Sequence, residues 1–136
     1  MKTNFRIWNR LAGWSTFLIA FITYYLTMEP TVSWWDCGEF IASASKLEVG
    51  HPPGASLFML IGRVFASIAP DPTKVAWIIN LISVLASAFT VLFLFWTITH
   101  MGRKLIAWNK AYSLTEKIMI IGAGLVGSLV FAFSDS

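Results

Sequence analysis

Charge is scarce in this sequence: of 136 residues, 12% are Asp, Glu, Lys or Arg, about half of the roughly 25% usual in a soluble domain. Hydrophobic residues make up 57% and aromatic residues 15%, which excludes a disordered chain and argues against a water-soluble fold. Ten Lys and Arg stand against seven Asp and Glu, too few and too scattered for a basic stripe, so no nucleic-acid partner is expected. Cysteine is nearly absent. Cys37 alone cannot form an internal disulfide, and folding requires no oxidising compartment. The sequence also lacks a metal-ligand cluster, a phosphate-loop glycine motif, a nucleophile elbow, an internal repeat and a low-complexity linker. What it has instead is long apolar runs, and they make lipid the solvent to consider.

Residues 11–28 run for 18 positions without a charge, after Lys2, Arg6 and Arg10. At ~1.5 Å per residue such a helix covers about 27 Å. It ends in Tyr24, Tyr25, Leu26, Thr27 and Met28 with no small-x-small cleavage pattern, and it reads as a retained signal-anchor with a cytoplasmic N-terminus. The second run, residues 75–99, is introduced by Asp71 as N-cap and Pro72 as first-turn proline, with Gly102 as the expected stop. The third, residues 114–133, opens on the capping box Ser113-Leu114-Thr115-Glu116. Gly122, Gly124, Gly127 and Ser128 give it a small-residue surface for close helix packing.

Residues 53–69 are apolar but short, with Arg63 in the middle. If they crossed the bilayer, the basic loop holding Arg103, Lys104, Lys110 and Lys117 would face outward, against the positive-inside rule. Lying at the outer surface, they leave that loop and the basic N-terminus on the same, cytoplasmic side. Residues 29–74 then form one external loop with five acids and three bases. Trp8, Trp96 and Trp108 fall at the inner boundary and Trp34, Trp35 and Trp77 at the outer one, with Trp14 as the exception. The expected fold is an all-α integral membrane protein. It has three transmembrane helices, about 11–28, 75–100 and 114–133, and two short helices in the outer loop, about 36–47 and 53–69. The 136 residues are read as a single membrane domain.

The chemistry-bearing residues concentrate in that loop. Asp36 and Glu39 lie three apart, on one face if a helix begins there. Asp-x-x-Glu is itself a capping box; against that, Trp34, Trp35 and Phe40 beside a membrane boundary offer the desolvation that raises a carboxyl pKa and suits acid or base work. His51 precedes Pro52 and Pro53, which hold the backbone extended before a helix opens. A loop histidine is ordinarily solvated and inert, but at a helix start it suits contact with an anion such as a lipid phosphate. Arg63 either snorkels to the headgroups or pairs with such a phosphate. Asp135, directly after the third span, is expected on the same outer side. Asn80 and His100 suit helix-to-helix hydrogen bonding and interface anchoring, and the topology puts His51 and His100 at opposite faces, which excludes joint haem ligation.

This arrangement resembles the N-terminal part of the GT-C glycosyltransferases, polytopic enzymes that use polyprenyl-phosphate sugars. Protein O-mannosyltransferases carry an Asp-Glu pair followed by His-Pro-Pro in the corresponding loop. Trp35-Asp36-Cys37-Gly38-Glu39-Phe40 and His51-Pro52-Pro53-Gly54 are closer still to a bacterial membrane family related to an animal transmembrane O-mannosyltransferase, and the resemblance takes in residues 9–136. The two carboxylates here are separated by two residues rather than adjacent. The resemblance implies a GT-C-like fold of which this chain is the N-terminal portion, since three spans are fewer than such enzymes use to close their site.

It further implies a sugar, mannose in the nearest case, transferred from a polyprenyl-phosphate donor to a protein hydroxyl or another, glycan, acceptor outside the cell (inner) membrane. Asp36 would be the catalytic base and Glu39 its support. His51, Arg63, Trp35 and Asp135 would contact substrate. Membrane lipids are the remaining partner. No cofactor is assigned, and a divalent metal is left open. The alternative is a non-catalytic membrane scaffold using the glycine-bearing third span. A transporter is disfavoured because the spans carry no charge at their middles.

Overall fold

The computed structural model describes residues 2–32, 36–51, 55–106 and 113–134. All regular structure among them is helical: α1 (Lys2–Thr27), α2 (Cys37–Lys46), α3 (Ser56–Ser67), a 3-10 turn (Pro72–Lys74), α4 (Val75–Ile106) and α5 (Leu114–Phe133). Two helices are long and apolar enough to cross a membrane, Pro72–Ile106 and Leu114–Phe133, with mean hydropathies of 2.4 and 1.7. Only 33% and 17% of their most apolar stretches are buried within the chain, so most of that surface points outward, as lipid-facing helices require and core helices of soluble proteins do not. The chain is an all-α membrane protein. α1 has the length of a span, but its charged start and its hydroxyl-bearing residues dilute its apolarity, and it is not one of the two.

Several helix ends follow the expected local chemistry. The Asp71 carboxylate accepts from the Thr73 N–H at 2.9 Å with Pro72 in the first turn. At α5 the Ser113 hydroxyl accepts from the Glu116 N–H and the Glu116 carboxylate from the Ser113 N–H, closing the capping box. Three boundaries differ. α1 begins at Lys2, nine residues before its uncharged run, because Lys and Arg are good helix formers. α4 passes through Gly102 to Ile106; a Cβ at Gly102 would meet Ile120 at 3.6 Å, an ordinary contact distance, and one glycine inside a helix costs only about 1 kcal/mol. α3 is shorter at both ends than the expected 53–69, and its proposed proline start lies outside the described residues.

The chain divides into two compact units, Met1–Tyr24 with Ala86–Ser136, and Tyr25–Leu85. In the first, α4 presents Ala88, Val91, Leu92 and Phe95, spaced along one helix face and each almost fully buried. Glycines bring the neighbours close. A Cβ at Gly124 would stand 2.7 Å from Thr99 Cγ2 and 2.9 Å from the Phe95 ring, and one at Gly127 would stand 2.7 Å from Ile98. Gly124 and Gly127 of the small-residue surface expected on the third span therefore pack against α4, whereas nothing lies within 4 Å of a Cβ at Gly122. Trp14, the aromatic that fits neither boundary, makes edge contacts with Phe17 and Trp96 at 5.4 and 6.3 Å, and the Tyr24 hydroxyl donates to the Ala132 carbonyl at 2.9 Å.

The second unit contains the predicted outer loop. Its core is Ile41 and Ala44 of α2, Met59 of α3 and Ile79 of α4, with Phe40 and Phe58 in edge contact at 5.9 Å. α2 and α3 meet where Gly62 faces Ala44, so closely that a Cβ at Gly62 would fall 2.8 Å from the alanine methyl.

Candidate functional site

Asp36 sits at the N-cap of α2 with φ −77° and ψ 0° and makes no side-chain capping bond. The capping-box reading of Asp-x-x-Glu therefore does not hold, because the N-cap backbone is outside the extended geometry that would turn the carboxylate onto the helix N–H groups. Glu39 is used elsewhere. Its Oε1 accepts from the backbone N–H of His51 at 2.5 Å, which ties the first turn of α2 to the segment after it, twelve residues along the chain. The two motifs singled out in the sequence meet at this bond.

Both carboxylates and His51 are exposed, and Phe40 is turned into the core against Phe58. Burial inside the chain thus does not supply the desolvation expected of this pair, and Trp34 and Trp35 lie outside the described residues, as does Asp135. Arg63, also exposed, donates from Nη1 to the Ser45 carbonyl near the C-terminal end of α2. A cation there complements the negative end of the helix dipole. Arg63 is thus fixed to the same helix that carries Asp36 and Glu39. Among the described residues no three His, Cys, Asp or Glu side chains converge as a metal site.

Two supports were not assigned these roles from sequence. Asn80 donates its amide to the carbonyls of both Glu29 and Thr31 at 3.0 Å, anchoring the chain as it leaves α1; a polar residue in an apolar run is the signal, but its partners are backbone atoms that no pattern specifies. Leu47 adopts φ 57° and ψ 43°, and the N–H groups of Leu47 and Glu48 donate to the carbonyls of Ala44 and Ser43. This reversal ends α2 and sends the chain back so that His51 reaches Glu39.

The family described as the protein O-mannosyl-transferase TMEM260 N-terminal domain matches residues 36–136. The chain is 37% identical over 83 residues to a Dictyostelium discoideum protein named protein O-mannosyl-transferase tmem260, covering 60% of this chain and 10% of that protein. It is 33% identical over 79 residues to a Mus musculus protein named protein O-mannosyl-transferase TMEM260, covering 58% of this chain and 11% of that one. The chain thus spans about a tenth of the length of these curated relatives. No solved structure matches. The match leaves out α1, begins at the loop carboxylate Asp36 and takes in about three quarters of the sequence, and the chain therefore belongs to the protein O-mannosyl-transferase TMEM260 N-terminal domain family.

Proposed function

We propose that this chain is the catalytic-loop portion of a membrane glycosyltransferase that moves a sugar, mannose in the family's case, from a polyprenyl-phosphate donor to a protein hydroxyl. The observation that carries the reading is the bond from the His51 N–H to Glu39, which joins the acidic motif to the His-Pro-Pro segment in a chain matched to this family from Asp36 onward.

Asp36 takes the proton from the acceptor hydroxyl as its oxygen bonds to the anomeric carbon. The bond from that carbon to the lipid phosphate breaks, and the phosphate leaves with the electron pair. Glu39 is a positioning residue that holds the loop closed. The His51 imidazole and the further N–H groups of Arg63 face the donor phosphate, with Trp35 and Asp135 as additional substrate contacts. A lipid-borne donor keeps its tail in the bilayer and its reactive carbon at headgroup depth, so base and phosphate contacts belong at that depth. In this reading α1 is the first of three spans, the N-terminus is cytoplasmic and the loop is extracytoplasmic.

A positioned base contributes on the order of 10² to 10⁴ in rate, and alignment of donor and acceptor adds to it. Asp36→Asn in the full-length protein is expected to lower sugar transfer at least ~100-fold while membrane insertion, followed by protease protection, stays intact. Transfer retained in an inserted Asp36→Asn protein removes the base assignment. The alternative is a non-catalytic scaffold; Gly124 and Gly127 are occupied by α4 of the same chain, which withdraws those two positions from the surface it would use.

A further inference from the structure

The carboxylate of Asp36 is not tied to the helix it precedes, since it makes no capping bond, and its place is set by the backbone on either side. On the exit side, the Asp36 carbonyl accepts from the Phe40 N–H at 3.0 Å, and the helix so begun packs Ile41 and Ala44 with Ile79 of α4. On the entry side, Asn80, the next residue of α4, donates its amide to the carbonyls of Glu29 and Thr31, each at 3.0 Å. The Thr31 hydroxyl donates to the Glu29 carboxylate at 2.9 Å, which makes a clip of these residues. Val32 follows directly and reaches Gly38, where a Cβ would lie 3.0 Å from Val32 Cγ1. Residues 32 and 38 thus touch, and Asp36 lies on the loop they close.

Two successive residues in the second turn of α4 therefore hold both arms of that loop, Ile79 by burial and Asn80 by hydrogen bonds. The partners fix the direction of those bonds. Carbonyl oxygens only accept, so the amide nitrogen faces them and its two protons serve two carbonyls. An asparagine among Trp77, Ile78, Ile79 and Leu81 costs free energy in an apolar setting unless its amide is paired. Here the amide protons go to the approach to Asp36 and not to a neighbouring helix.

We infer that Asn80 is a positioning residue for sugar transfer: by hanging the 29–32 segment on α4, it sets where the Asp36 carboxylate stands. Asn80 has this role only if Asp36 is the base proposed above. A displacement of about 1 Å at a reacting group can cost on the order of 10²-fold in rate, so two hydrogen bonds remote from the chemistry are felt in kcat.

Two variants with opposite demands provide the test. Asn80→Asp keeps the shape of the side chain and loses both donors, whereas Asn80→Gln keeps both donors on a longer stem. In the full-length protein, per inserted molecule, Asn80→Asp is expected to lower kcat at least ~10-fold with the donor KM within threefold. Asn80→Gln is expected to recover at least a third of the unaltered kcat. The reverse order, aspartate tolerated and glutamine not, would mean that volume and not donation matters, and overturns the inference. A second readout needs no turnover. Cys37 is exposed, is the sole thiol of this chain and adjoins Asp36. With the chain in phosphatidylcholine nanodiscs, its alkylation by a maleimide is expected to speed up at least threefold in Asn80→Asp and to stay within twofold in Asn80→Gln. A Cys37 rate that does not rise in folded Asn80→Asp overturns the inference even where Asp36→Asn abolishes transfer. A raised rate with transfer retained in Asp36→Asn shows the tie to α4 but removes the base, and the positioning role falls with it. Should Asn80→Asp not fold, Asn80→Ser, which removes the amide without adding charge, is read by the same criteria.

Discussion

The two units are held together by different means. In the first, closure is steric: Gly124 and Gly127 receive side chains of α4 at distances that leave no room for a methyl group, around residues such as Phe95 and Leu92 that are almost wholly buried. In the second, a small apolar core is supplemented by side chains bonded to loop backbone, with Glu39 on the His51 N–H, Asn80 on two carbonyls and Arg63 on the Ser45 carbonyl. Helices in lipid gain nothing from mutual hydrophobicity and so depend on close fit. A segment of turns has backbone groups to satisfy and depends on polar partners. Asp36, Glu39, His51 and Arg63 all lie in the unit built the second way, where a side chain can be both anchored and exposed.

If steric fit holds the first unit, the largest effect on stability comes from a single methyl. Gly124→Ala places a Cβ 2.7 Å from Thr99 Cγ2 and 2.9 Å from Phe95 and is expected to cost about 1–3 kcal/mol. Gly122, two residues earlier on α5, has no atom within 4 Å of the corresponding position. Gly122→Ala is therefore expected to be neutral or to gain up to ~1 kcal/mol from helix propensity. Denaturant unfolding of both variants in the same detergent measures the difference. Equal responses would mean that α5 does not depend on close contact with α4, and the contrast between the units would fail.

The second unit is challenged at its polar tie. Glu39→Ala removes the acceptor for the His51 N–H and is expected to cost about 1 kcal/mol, below the ~1.5–3 kcal/mol of a shielded charge-assisted bond because the pair is exposed. Glu39→Gln keeps a side-chain oxygen in place and should retain most of that stability. Hydrogen exchange at the His51 amide reads the effect directly: faster exchange in the alanine variant and near-normal protection in the glutamine variant. If neither changes protection, the two motifs are not held together by this bond.

Periodicity, run length and end chemistry made the helices legible, and the Asp71 and Ser113 caps formed as their residue types dictate. What sequence could not settle was competition between satisfactory local alternatives. Asp36 and Glu39 match a capping box, yet the carboxylate three residues into α2 is claimed by the backbone of His51, a partner brought close only by the turn at Leu47. Gly102 matches a stop signal, yet α4 continues through it to Ile106, since glycine in a helix interior costs only about 1 kcal/mol. Asn80 was visible as a polar residue in an apolar run, but its two carbonyl partners lie about fifty residues earlier in the chain.

The smallest effect is expected at the turn that makes the Glu39 bond geometrically available. Leu47 is the one non-glycine residue with positive φ among the described residues, and it is 52% exposed, so its side chain contributes little burial to offset the left-handed backbone. Glycine carries no Cβ to crowd the following carbonyl there, and Leu47→Gly is expected to stabilise the second unit by about 0.5–1 kcal/mol, net of the extra freedom glycine gains when unfolded. Leu47→Ala separates the causes. Alanine sheds the exposed apolar surface but keeps the Cβ, so no gain is expected from it. If alanine stabilises as much as glycine, the strain lies in the side chain and not in the backbone, and the turn at residue 47 is not what sets the reach from α2 to His51.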